Sequence, residues 1–232
     1  PLGPVQCRGD RDMRRLRAFL ADPAGASPAE FALVLPAALL FLLGIIDVGR
    51  YFWEINKLEK AVQVGTRYAV STRIVSNDLN TTDFTGLDCG AGPLTPGDTI
   101  CKDGLGKITC CAGSVGASCT CTESALGAGS CPADLGDVDT AAFGNIVARM
   151  RVIAPQIGTS DVRISYSGSG IGYAGDPHID DDGAPLSEVS PIVTVQVINQ
   201  RLRTISLLGL GLRLPSFQYS QTLEDGEGAI AY

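Results

Sequence analysis

Seven of the eight cysteines lie in one stretch, at Cys89, Cys101, Cys110, Cys111, Cys119, Cys121 and Cys131. Thiols at that density either hold a metal or oxidise to disulfides. Structural zinc sites favour paired C-x2-4-C knuckles, commonly completed by His. Here the close pairs are Cys110-Cys111 and Cys119-Thr120-Cys121, and the single His, His178, is far along the chain. Disulfides are therefore the expected chemistry, and with them an oxidising compartment. Adjacent Cys110 and Cys111 are expected to bond to different partners. Seven is odd, so one thiol is left over or bridges to another chain. Spacing leaves the connectivity open. No His lies near in sequence to activate a thiol, so a reactive thiol is the weaker option.

The other candidate motifs are weaker. Gly170-Ile171-Gly172-Tyr173-Ala174-Gly175 spells G-x-G-x-x-G after a strand-like stretch. A dinucleotide site needs a helix to open on those glycines. Pro177 and the acids Asp180, Asp181 and Asp182 oppose both a helix and a pyrophosphate, so a flexible turn is expected. The three Asp before Gly183 hint at calcium. Placing that Gly sixth in an EF-hand loop puts His178 first and Val189 twelfth, and both fail as ligands. A solvated acidic loop is the expectation. Asn80-Thr81-Thr82 matches a glycosylation sequon but reads as an ordinary turn. With one His and no G-x-S-x-G elbow, no catalytic apparatus is visible. The chain is expected to be no enzyme and to carry no metal or cofactor.

The acid that stands out is Glu30. It precedes sixteen residues without formal charge, Phe31 to Ile46. A charge at the edge of such a run is expensive without a partner. The run is slightly short for an upright span of hydrocarbon, which wants about 20 residues. Ala26 to Ala29 before it, then Val48, Tyr51, Phe52 and Trp53 after it, extend it, and aromatics favour the membrane–water boundary. A membrane segment at about 30–47 is expected. The competing readings are a buried core helix or a cleaved secretory signal. Against the signal, the run passes directly into Asp47-Val48-Gly49-Arg50 with no small-x-small cleavage site.

Charge gives a direction. The first 25 residues hold five Arg and three Asp, whereas the rest holds thirteen basic and twenty-two acidic side chains. Arg14, Arg15 and Arg17 before a single span hold that end in the cytoplasm by the positive-inside rule. The acidic, Cys-rich remainder then faces the other side. The acidic balance also opposes nucleic acid as a partner. Met13 is a credible true start, which makes Cys7 irrelevant to the folded product.

Past the span, Val48, Tyr51, Ile55, Leu58, Val62, Gly65 and Ala69 recur at spacings of three and four, so the helix continues to about Val75. Glu54 and Lys57 are placed to pair one turn apart. The stripe packs on the chain's own C-terminal region, on other helices, or on both. Pro28 suits a helix start, and Pro36 should kink the apolar run. Residues 77–138 read as a Gly/Cys-rich, disulfide-linked loop region with too few large apolar groups for a core of its own. Residues 139–232 read as a small α/β domain. Asp139-Thr140 caps a helix through Phe143, Ile146, Val147, Met150 and Ile153. Arg163–Tyr166, Pro191–Asn199 and Ser216–Leu223 alternate like strands. Leu202–Leu212 is a short helix or an irregular apolar turn. The fold class is α+β: a long N-terminal transmembrane and amphipathic helix, a Cys-rich loop region, and a small antiparallel sheet with helices.

Gly25, four residues, Glu30, the aromatic Phe31 and an apolar helix together resemble the processing site of type IV pilin-like precursors. The longer run AEFALVLPAALLFLLGIIDVGRYFWEINKLEKAVQVGTRYA is similar to the TadE-like family of pilus-assembly pseudopilins, a likeness covering roughly residues 13 to 75. The resemblance implies a basic leader over residues 1–25, cut by a prepilin peptidase between Gly25 and Ala26. It implies that Glu30, beside Phe31, neutralises the new amine of Ala26 in its own or a neighbouring subunit. Such a pair is stable in low dielectric only while both charges are matched. It further implies a minor pseudopilin of a Tad/Flp-type pilus, anchored in a bacterial inner membrane with its C-terminal domain periplasmic or extracellular. The implied partners are other pilin-like subunits, inner-membrane Tad platform proteins and the lipid bilayer. The alternative is an uncleaved, single-span extracytoplasmic module for binding or adhesion.

Overall fold

The computed structural model describes residues 23–223 except 114–115, 127–129, 133–134, 137, 177–178, 180–182, 184 and 206–208. The leader residues up to 22, with Cys7, Met13, Arg14, Arg15 and Arg17, lie outside the described residues, as do His178 and Asp180–Asp182. The chain divides into two compact units. One holds α1 as far as Tyr51 together with Arg203–Leu210; the other holds Phe52–Leu202 and the residues from Gly211 on.

Helix α1, Pro23–Val70, is 48 residues long and passes through Pro28 and Pro36 as one element. Leu- and Ala-rich turns supply its propensity. It stops at Val70, short of the expected Val75. There the Ser71 hydroxyl donates to the Arg67 carbonyl at 3.1 Å and the Thr72 hydroxyl to the Tyr68 carbonyl at 2.8 Å. Hydroxyls that bond back to the preceding turn compete with helix continuation. A four-residue helix, α2 (Asn77–Asn80), follows and buries Leu79.

The second unit is a helix-covered antiparallel sheet. Strands β1 (Lys107–Gly113), β2 (Gly116–Thr122), β3 (Val162–Ser167), β4 (Ile192–Val197) and β7 (Phe217–Thr222) run in the order β2-β1-β3-β4-β7. Register places Cys119, Cys110, Ile164, Val195 and Tyr219 on one line across it. Between β4 and β7, β5 (Arg201–Arg203) and β6 (Gly211–Arg213) form a separate two-stranded sheet. Leu202 and Leu212 thus lie on paired strands, where a short helix or an irregular apolar turn was expected over Leu202–Leu212. Between them Thr204 bonds to Leu210 and Gly209, local polar pairing that hydrophobic periodicity does not show.

Inward residues alternate as the pleat requires. Ile108, Cys110, Val162, Ile164, Tyr166, Val193, Val195 and Val197 are all fully buried. Helix α3, Thr140–Arg151, adds Phe143, Ile146, Val147 and Met150; the Asp139 side chain caps it, accepting from the Ala142 N–H at 2.8 Å. The later turns of α1 contribute Leu58, Ala61, Val62, Ala69 and Val70. Gly65 is where α1 meets α3: a Cβ built there would lie 2.6 Å from Met150 Cγ.

Within 77–138 the described residues include strands as well as loops. The stretch provides β1 and β2 and sends Leu79, Phe84, Ile100, Leu105 and Ile108 into the core. Single apolar residues scattered among Gly, Ser and Cys escape a periodicity test. They pack here because disulfides and the neighbouring strand hold the backbone in place.

Candidate functional site

The N-terminal part of α1 is built as an exposed apolar rod. Phe31, Leu33, Val34, Leu35, Leu39, Leu40, Phe41, Leu42, Ile45 and Ile46 are all exposed, Leu33 at 80%. Contiguous apolar surface on that scale marks a membrane or protein partner. Among the described residues, α1 is the one helix long and apolar enough to cross a membrane. Gly25 and Ala26 fall within its first turn, and Glu30 and Phe31 follow on exposed positions.

The run ends on an acid that the sequence reading passed over. Asp47 is 7% exposed. The Ile205 N–H donates to both its carboxylate oxygens at 2.9 Å. Arg50 Nη1 stands 3.3 Å from Asp47 Oδ1 and 3.3 Å from the Arg203 carbonyl oxygen. The signal was an Asp placed directly after sixteen uncharged residues, which at that position needs a partner. The partner lies 158 positions along the chain, out of reach of any local pattern.

Farther along α1, Lys57 pairs with Glu54 at 3.0 Å and sits 5.1 Å from the centre of the exposed Trp53 ring. Glu54 also accepts a hydrogen bond from the Gln156 amide. The stripe from Leu58 to Ala69 turns inward, as packing on the chain's own C-terminal region requires.

Six cysteines close three disulfides: Cys89–Cys101, Cys110–Cys119 and Cys121–Cys131. Cys110 and Cys119 are register partners on adjacent strands, with Cα atoms 4.0 Å apart. Of the adjacent pair only Cys110 is bonded; among the described residues Cys111 is the free thiol, and it is half-buried. Successive strand residues face opposite sides of the sheet, so the two thiols cannot share a partner. No group of acids, His and Cys among the described residues has the arrangement of a metal site.

The glycine motif is a joint rather than a flexible turn. The Gly172 carbonyl accepts from the Ile100 N–H at 3.1 Å, and the Tyr173 N–H donates to the Glu188 carbonyl at 3.2 Å. Ala174 exchanges bonds with Gly97 and Asp98. Gly172 adopts φ +134°, and a side chain there would run into the Glu188 backbone. The glycines thus admit close backbone approach between two loops. Nearby, hydrogen bonds hold two carboxyls below the usual aspartate range. The Thr85 hydroxyl and N–H act on Asp83, and the Thr95 N–H and hydroxyl act on Asp98.

Compared with known proteins, residues 25–67 match the model of the TadE-like protein family. That segment is the exposed apolar run, the Asp47 site and the first buried turns of α1. It makes α1 a TadE-like helix and points to a protein of a Tad pilus system with pilin-like and Tad partners. No curated protein and no solved structure matches the chain.

Proposed function

We propose that this chain is a minor pseudopilin of a Tad/Flp-type pilus, cut by a prepilin peptidase behind Gly25 and retained in a bacterial inner membrane through α1. Its role is non-catalytic: it assembles with other pilin-like subunits and anchors or primes the pilus at the Tad platform. The carrying observation is the TadE-like match over residues 25–67, on a helix whose apolar surface is exposed from Phe31 to Ile46. In this reading the exposed Glu30 pairs with the amine of Ala26, because neither charge is tolerable at the lipid boundary alone. The three disulfides fit a domain that folds outside the cytoplasm.

Processing is the test. Co-expression with a prepilin peptidase should shorten the wild-type chain, with Ala26 as the new N-terminus by sequencing. Gly25→Val should stay full-length. Should the variant be shortened as readily as wild type, the cleavage assignment fails. A wild-type chain that keeps its leader would favour the uncleaved binding module.

A further inference from the structure

We propose that Ile205 and Leu210, the exposed apolar residues described between β5 and β6, form a second membrane contact, lying in the lipid interface at the level of Asp47. The proposal rests on reading α1 as the span. The first argument is depth. Sixteen residues of helix rise about 24 Å, against a hydrocarbon core of about 30 Å. With Glu30 at one boundary, the other falls past Ile46, near Asp47 to Arg50. An ionised Asp at that depth is costly unless matched. Asp47 is matched by the Ile205 N–H and by Arg50, and both partners come from the unit that carries the run.

The second argument is the pairing of polar groups among the described residues between β5 and β6. The Thr204 N–H and hydroxyl both donate to the Leu210 carbonyl at 3.1 Å, and the Gly209 N–H donates to the Thr204 carbonyl at 2.9 Å. Each such bond lowers the cost of bringing these backbone groups toward lipid, as does the bond from the Ile205 N–H to Asp47. The third is surface chemistry. Ile205 is 48% and Leu210 65% exposed, adding apolar area at the end of a run whose Ile45 and Ile46 are also exposed. Arg50 and Arg203 stand beside them, suited to lipid phosphates by their guanidinium geometry. Two exposed apolar residues bordered by arginines, at the end of an apolar rod, fit an anionic bilayer surface better than a dry protein groove.

The test uses the full chain in vesicles of phosphatidylcholine and phosphatidylglycerol, with native Trp53, the sole tryptophan, replaced by Phe. Single tryptophans are placed by Leu210→Trp, Ile205→Trp and Leu40→Trp, and emission is compared between plain and acyl-brominated lipid. The Leu40→Trp variant should be quenched most by deep bromines. The Leu210→Trp and Ile205→Trp variants should lose roughly half their emission to shallow bromines, the depth expected of an interfacial residue. Quenching at Leu40→Trp with none at Leu210→Trp or Ile205→Trp overturns the proposal and leaves the span standing. Unquenched but blue-shifted emission at those two positions assigns them to a protein neighbour and equally overturns it. If Leu40→Trp itself is unquenched, the span reading falls and this inference with it.

Discussion

Tyr166 is the largest of the fully buried side chains, and its phenol oxygen accepts the Val75 N–H at 2.9 Å. That bond ties β3 to the segment that leaves α1. Removing the hydroxyl leaves a buried donor unpaired, a loss of about 1–3 kcal/mol. Tyr166→Phe should therefore lower the urea midpoint with an unchanged m-value. The same residue gives a pH signature. Burial pushes its phenol well above the ordinary tyrosine value of 10.0, with the Asp139 charge adding to the rise against the opposing bond from Val75. The unfolded chain then releases this proton first. Stability is full below pH 10.0 and declines as pH rises beyond it. Tyr166→Phe should flatten that alkaline decline, as read from urea midpoints across the range. The strand around Tyr166 was legible in the sequence from alternation alone. Its partner was not, because Val75 lies 91 positions away and was assigned to a helix.

Among the elements, the contact between α1 and α3 depends on a missing side chain. Gly65→Ala would gain roughly 1 kcal/mol of helix propensity. Its new methyl would meet Met150, which is fully buried, at 2.6 Å from Cγ and 2.8 Å from Sδ. Overpacking costs about 1–3 kcal/mol, so the clash outweighs the propensity. Met150→Ala alone should lose about 2–5 kcal/mol to a cavity. The double variant should fall short of the sum, since the methyl enters the space the Met vacates. Equilibrium unfolding of the four chains measures that coupling; strict additivity would mean the two helices do not meet here. The stripe through Leu58, Val62, Gly65 and Ala69 was readable because helical periodicity is local. The β1–β2 hairpin was not readable, because its apolar content is Ile108, two buried cysteines and little else. What holds it is pairing between Cys110 and Cys119, and spacing does not announce connectivity. Likewise Leu202–Leu212 showed its apolar residues but not the pairing of β5 with β6, nor the bonds of Thr204 to Leu210 and Gly209.

At the scale of the whole molecule, the two units put their apolar residues to different use. One unit exposes apolar residues along α1, and the other buries its own around a sheet and holds three disulfides. Each set of forces should fail separately. Leu39 and Leu40 are exposed mid-run, so placing Arg at both burdens the span by about 2.5–3.5 kcal/mol per residue on insertion scales. It removes no residue of the sheet core. The Leu39→Arg, Leu40→Arg chain should be extracted from membranes by alkaline carbonate where wild type stays in the pellet. Thiol counting by mass then reports on the other unit. The membrane-extracted chain, denatured without reductant, should take up alkylating reagent once, at Cys111, if the leader with Cys7 has been removed, and twice if it is kept. After reduction, the count should rise by the six cysteines of the three disulfides. Loss of membrane retention with the disulfides still closed is the outcome that separates lipid anchoring from domain folding. If the carbonate-extracted chain were found fully reduced, the disulfide-linked unit would depend on the span for its oxidation, and the two units would have to be treated as one.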